Sequence, residues 1–79
     1  EYHSFVDYKT ILQEYISKIK LGEIEYVVLD SSGPSHSKTF TSAVLIDGKQ
    51  YGSGTATTKK ESEQLSAKQA LEKLEYKDI

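Results

Sequence analysis

The dipeptide Asp47-Gly48 stands between two stretches of strand character, Thr39–Ile46 and Lys49–Ala56. A two-residue Asp-Gly connection supplies positive φ at both central positions, and its twist matches that of a tight antiparallel hairpin. Two neighbouring strands are thereby committed, and the rest of the chain must build on them. Residues 25–31 carry Tyr26, Val27 and Val28, β-branched and aromatic residues that read as a third strand. Residues 31–38 lose all periodicity and contain Ser, Gly and Pro, which marks a loop between this strand and the hairpin. In the last strand Gly52 and Gly54 leave room for another backbone to approach, with Tyr51 available to pack.

Both flanks of the strands read as helices. Tyr8, Ile11, Leu12, Tyr15, Ile16 and Ile19 recur at helical spacing behind Asp7, a good N-cap. They define an amphipathic helix over residues 8–20, closed by Gly22 in the usual C-terminal role. Its opposite face carries Thr10, Gln13, Glu14 and Ser17. At the other end, Thr58-Lys59-Lys60-Glu61 has the form of a capping box, in which the Thr58 hydroxyl accepts from the Glu61 amide and the Glu61 side chain reaches back. Ala67, Ala70, Leu71 and Leu74 then mark the buried face of a helix that runs to about residue 75. The order α-β-β-β-α predicts an α+β domain, with two helices packed on one face of a three-stranded antiparallel sheet. The domain is expected over residues 7–75, between a linker or frayed end at 1–6 and a C-terminal tail at 76–79.

Composition narrows the chemistry. The 79 residues suffice for one small domain and include no cysteine, so packing alone must hold it together. No apolar run is long enough to cross a bilayer as a helix, and no membrane partner is expected. The ten basic residues are all lysines against twelve acidic ones, a net charge of −2 that argues against a nucleic-acid partner unless the lysines share a face. Without arginine, the forked donor that reads guanine edges in the DNA major groove is missing, so sequence-specific duplex DNA recognition is disfavoured. Catalysis finds no support either. The carboxylates are scattered along the chain, His3 and His36 have no partner at ligand spacing, and Ser35-His36 lies in a loop that would not orient the pair. No catalytic and no metal-binding residues are assigned.

Three local features could hold a ligand. Lys59 and Lys60 open a helix whose free amides and dipole favour phosphate, a place where lysines are otherwise disfavoured. Taken alone, they read more simply as a solvated pair. The Gly33-Pro34-Ser35-His36 loop is small enough to enter a shallow groove, and the stripe Thr10, Gln13, Glu14, Ser17 is a polar face that by default only meets solvent.

Together the three features resemble the double-stranded RNA-binding domain family. The stretch from Gly54 through Lys59-Lys60 to Gln64, followed by Ala67, Ala70 and Leu71, is similar to the family's glycine–lysine signature and its small-residue helix. Asp7-Tyr8-Lys9-Thr10-Ile11-Leu12-Gln13-Glu14, the G-P-x-H-x-K-x-F pattern from Gly33 to Phe40, and Lys59 to Gln64 resemble the C-terminal domain of bacterial ribonuclease III in particular. The resemblance implies a three-part footprint on A-form RNA. Thr10, Gln13 and Glu14 would meet a minor groove, Pro34 and His36 the next one, and Thr58, Lys59, Lys60 and Gln64 the phosphates between them. It also implies a parent endoribonuclease acting in ribosomal RNA processing, cytoplasmic, dependent on Mg2+, and homodimeric through a catalytic domain upstream, with no cofactor in this domain. Two departures stand out. Ala56 replaces a signature glycine, and Glu63 stands where many members have a third lysine, a loss expected to weaken binding by about an order of magnitude. Two rival readings remain: a protein-interaction domain of the same fold that has lost RNA binding, and a free-standing RNA-binding protein.

Overall fold

The computed structural model describes residues 6–76; His3 and the ends of the expected linker and tail lie outside them. Helix α1 spans Tyr8–Ile19, strands β1, β2 and β3 span Ile24–Ser32, Thr39–Ile46 and Lys49–Ala56, and helix α2 spans Lys59–Lys73. The strands form one antiparallel sheet in the order β1-β2-β3, so the expected α+β architecture is the one observed. A single 3-10 turn, Ser35–Ser37, sits in the loop between β1 and β2.

The core lies between the helices and one face of the sheet. Leu12 and Ile16 from α1 meet Val44 and Ile46 from β2 and Ala67, Ala70 and Leu71 from α2, all of them buried. Removing such side chains from water is the main favourable term available to a domain without cross-links. Tyr15 and Tyr76 close one edge with rings 5.0 Å apart at 71°, an edge-to-face pair. Tyr76, placed at the start of the expected tail, thus packs against the core and donates its amide to the Leu71 carbonyl at 2.9 Å.

Two boundaries differ from the sequence reading. Lys20, at φ 55° and ψ 45°, provides the left-handed cap of α1, so Gly22 does not end the helix. Gly22 is needed two residues later, where φ is 151° and an added Cβ would lie 2.6 Å from Asp47 Cβ. The chain there passes directly beneath the β2–β3 turn, a long-range contact that local pattern does not show. β1 also continues to Ser32, further than the pattern indicated, because a bulge at Leu29 lets pairing resume as Asp30–Thr41, Ser31–Phe40 and Ser32–Thr39.

Candidate nucleic-acid interface

α2 lies on the sheet with its backbone almost in contact with β3. A Cβ at Gly52 would sit 2.4 Å from the Ser66 carbonyl oxygen, and one at Gly54 2.8 Å from that of Ser62. The helix face that meets them is correspondingly small: Ser62, Ser66, Ala67 and Ala70 are buried. The two serines are satisfied locally. Ser62 Oγ donates to the Lys59 carbonyl at 2.7 Å and therefore accepts from Ser42 Oγ, 2.6 Å away. Ser66 Oγ donates to the Glu63 carbonyl at 2.7 Å. These contacts fix the first turn of α2 relative to the sheet.

Lys59 and Lys60 project from that turn into solvent. Thr58 caps it as expected, accepting from the Glu61 amide at 3.0 Å. Glu61 returns to the hydroxyls of Thr57 and Thr58, at 3.4 and 3.5 Å, both at the long limit for such bonds. The Lys59 ammonium lies 5.8 Å from the Phe40 ring centroid, within cation–π range. The helix start thus carries two exposed cations beside the positive end of its dipole, a combination suited to phosphate.

The β1–β2 loop reaches the same end of the molecule. Gly33 takes φ 95°, and an added Cβ would lie 2.7 Å from the Ser37 carbonyl oxygen. The Ser37 amide donates to the Pro34 carbonyl at 2.8 Å, closing the turn that holds Pro34 and His36 out in solvent. A hollow lined by Ser35, His36, Lys38, Phe40 and Thr57 joins this loop to the start of α2. Lys38 and Phe40 were absent from the residues singled out for contact, although both belong to the G-P-x-H-x-K-x-F pattern. The strand alternation that sets them beside Thr57 could have found them.

The polar stripe of α1 is exposed at Thr10, Gln13 and Glu14. Thr10 is partly engaged, since its hydroxyl donates to Asp7 Oδ2 at 2.7 Å and its amide to Asp7 Oδ1 at 3.2 Å. Gln13 Nε2 donates to Ser17 Oγ at 3.2 Å. Gln64, expected beside the phosphates, is occupied within the protein. Its Oε1 accepts from the amides of Tyr8 at 2.7 Å and Lys9 at 3.3 Å, and its Nε2 donates to Asp7 Oδ1 at 2.9 Å. That last bond, with those from Thr10, holds the Asp7 carboxyl below its usual range. Glu63, where a third lysine often sits, pairs with Lys9, whose ammonium also lies 4.6 Å from the Tyr26 ring centroid. Among the described residues no group of three or more His, Asp or Glu side chains converges as a metal site would require.

Comparison with known proteins agrees with this geometry. The profile of the double-stranded RNA binding motif matches residues 8–74. The chain is 46% identical over 69 residues to Ribonuclease 3 of Desulforamulus reducens, covering 87% of this chain and 28% of that protein. It is 48% identical over 69 residues to Ribonuclease 3 of Streptococcus thermophilus, covering 87% of this chain and 30% of the relative. The chain thus spans less than a third of the length of these two relatives. A solved structure of Arabidopsis HYL1, described for its implications in miRNA processing, superposes with a TM-score of 0.74 at 39% identity, covering 86% of this chain and 96% of that one. The solution structure of both double-stranded RNA-binding domains of DRB4 gives 0.68 at 40% identity, covering 94% of this chain and 48% of the other.

Proposed function

The chain belongs to the double-stranded RNA binding motif family, and on that premise we propose that it holds duplex RNA for a ribonuclease III type endoribonuclease. The observation that carries this reading is the first turn of α2. Lys59 and Lys60 stand at the capped N-terminus of a helix that Gly54, and further along Gly52, allow to lie directly on β3. Thr58, Lys59 and Lys60 bridge the phosphates across a major groove. Thr10, Gln13 and Glu14 meet 2′-hydroxyls in one adjacent minor groove, and Pro34 and His36 enter the other. Domains of this family as a class span about 16 bp in this way, and contact with 2′-hydroxyls is what separates RNA from DNA. The phosphate contacts position the duplex and carry no sequence information.

The division of labour follows from the chemistry. A lysine is a compact point charge that tolerates small shifts of a phosphate, whereas Gln13 and Glu14 need a hydroxyl at a definite place. Affinity therefore rests mainly on α2 and discrimination on α1 and the loop. The described residues do not fit a divalent cation, so the Mg2+ of the parent enzyme would be held elsewhere in that polypeptide. A homodimeric parent, a cytoplasmic location and a role in ribosomal RNA processing are parts of the proposal that rest on the relationship to the ribonucleases alone.

Titration of an RNA duplex longer than ~16 bp and its DNA counterpart, at several salt concentrations, tests the reading. The RNA duplex should bind more tightly, with affinity falling as salt rises. Equal affinity for both duplexes, or indifference to salt, would overturn it.

A further inference from the structure

Two arrays that touch RNA must keep a fixed separation if they are to read the spacing of grooves, and beyond the shared core a polar linkage joins the two helices close to both arrays. The residues one turn behind Lys59 and Lys60 on α2 are Glu63 and Gln64. The residues just ahead of the Thr10, Gln13, Glu14 stripe on α1 are Asp7, Tyr8 and Lys9. These two sets bond directly to each other. Gln64 accepts from the Tyr8 and Lys9 amides and donates to the Asp7 carboxylate, while Glu63 pairs with the Lys9 ammonium.

We propose that Gln64, supported by the Lys9–Glu63 pair, is a positioning residue that sets the distance between the α1 stripe and the lysines of α2, and so sets selectivity for A-form geometry. The inference rests on the RNA-binding reading above. Each half of the clamp has a physical reason to act at that place. The first amides of a helix have no intrahelical partner, and here a side chain from the other helix takes two of them. A bond from outside the helix therefore controls where α1 starts. The fully buried contacts of α1, through Leu12 and Ile16, lie one and two turns further along, and in the first turn Tyr8 and Ile11 pack only partly buried against the core, so with the clamp removed that turn can shift about the deeper anchor. α2 cannot shift in the same way, because Gly52 and Gly54 bring its backbone onto β3. Loss of the clamp should therefore tilt α1 and with it the proposed 2′-hydroxyl readers, Thr10 the most, and leave the phosphate grip where it is. On this account Glu63 is more than a missing phosphate contact, because it holds Lys9 as half of the linkage.

The test compares Gln64→Leu, which keeps the bulk and removes all three bonds, with the unaltered chain. The quantity read is the ratio of dissociation constants for DNA and RNA duplexes of equal length, with the salt slope of RNA binding measured alongside. This ratio is independent of the fraction of molecules that fold. Gln64→Leu should lower the preference for RNA by about fivefold, the equivalent of one net hydrogen bond to a 2′-hydroxyl, with the salt slope unchanged. Gln64→Glu keeps acceptors for the Tyr8 and Lys9 amides but sets a carboxylate against Asp7. It should retain more of the preference, and it serves as the deciding variant if Gln64→Leu does not fold. An unchanged ratio in the variant that folds, even with a lowered melting temperature, makes Gln64 merely structural and overturns the proposal. A lack of RNA preference in the unaltered chain removes the RNA-binding reading and this inference together, whereas an intact preference that survives substitution removes only the inference.

Discussion

The two helices reach the same sheet by opposite means. α1 inserts the long side chains of Leu12 and Ile16, whereas α2 presents serines and alanines and lies on glycines of β3. A contact made by long side chains can repack, and one made between backbones cannot. The difference matters for binding. The helix that carries the lysine pair is the one with no freedom to adjust, whereas the helix proposed to read 2′-hydroxyls is held by side-chain packing together with polar bonds at its first turn.

Substitutions and changes of pH can break or sharpen this contrast. Leu12→Ala removes the largest fully buried side chain of α1 and should cost about 4 kcal/mol in chemical denaturation, whereas Leu12→Met should cost less than about 1.5 kcal/mol. Gly52→Ala adds a single methyl, yet that methyl would lie 2.4 Å from the Ser66 carbonyl oxygen, and the cost should be about 3 kcal/mol, the top of the usual overpacking range. If Gly52→Ala proves as mild as Leu12→Met, α2 is as adjustable as α1 and the contrast is lost. Tyr26, on β1 beside the clamp, carries a buried hydroxyl that finds no partner among the described residues. Tyr26→Phe should therefore be neutral or stabilising by up to about 1 kcal/mol, with the aromatic face under Lys9 retained.

Tyr26 also has an alkaline signature. Burial, with smaller contributions from Glu63 and Asp7, pushes its phenol from 10.0 up to about 12. The unfolded chain gives up this proton near pH 10 and the folded chain only near pH 12. Stability present below pH 10 is therefore lost as pH rises towards 12, and the loss should be smaller in Tyr26→Phe. The smallest effect is expected at the acid end. The Asp7 carboxyl is held below its ordinary 3.8, first by Gln64 and then by Thr10. It contributes stability above that pH, and the contribution disappears as pH falls through its lowered value. The acid unfolding curve of Gln64→Leu should therefore be shallower below pH 3.8.

Most of the fold was legible in the sequence because its signals are local. The Asp47-Gly48 turn, the spacing of Leu12 and Ile16 and the Thr58 cap each act within a few residues, and each stands where the pattern placed it. What escaped was long-range. Gly22 reads as a helix stop, but its constraint comes from Asp47 in the β2–β3 turn. Gln64 is expected beside the phosphates and Glu63 stands where a third lysine often sits, and the partners both find inside the protein lie 54 to 57 residues away at the start of α1 and its N-cap. Ser62 and Ser66 are polar residues that period-counting leaves out of the core, and they are buried because each hydroxyl returns to its own helix. The exposed positions Thr10, Gln13, Glu14, Pro34, His36, Lys59 and Lys60 came from a resemblance, since exposure alone does not distinguish a contact from a solvated surface.

The central claim is that Lys59 and Lys60 grip phosphate from a helix start that the sheet holds rigid. The measurement that reaches it most directly is the salt dependence of RNA-duplex binding by the Lys59→Ala, Lys60→Ala double variant. The slope of log affinity against log salt should become shallower by roughly 0.7 to 0.9 for each lost contact, binding should weaken, and the melting temperature should stay where it is. An unchanged slope in a folded variant would mean that the pair touches no phosphate, and unfolding would mean that the lysines serve the fold and not the RNA.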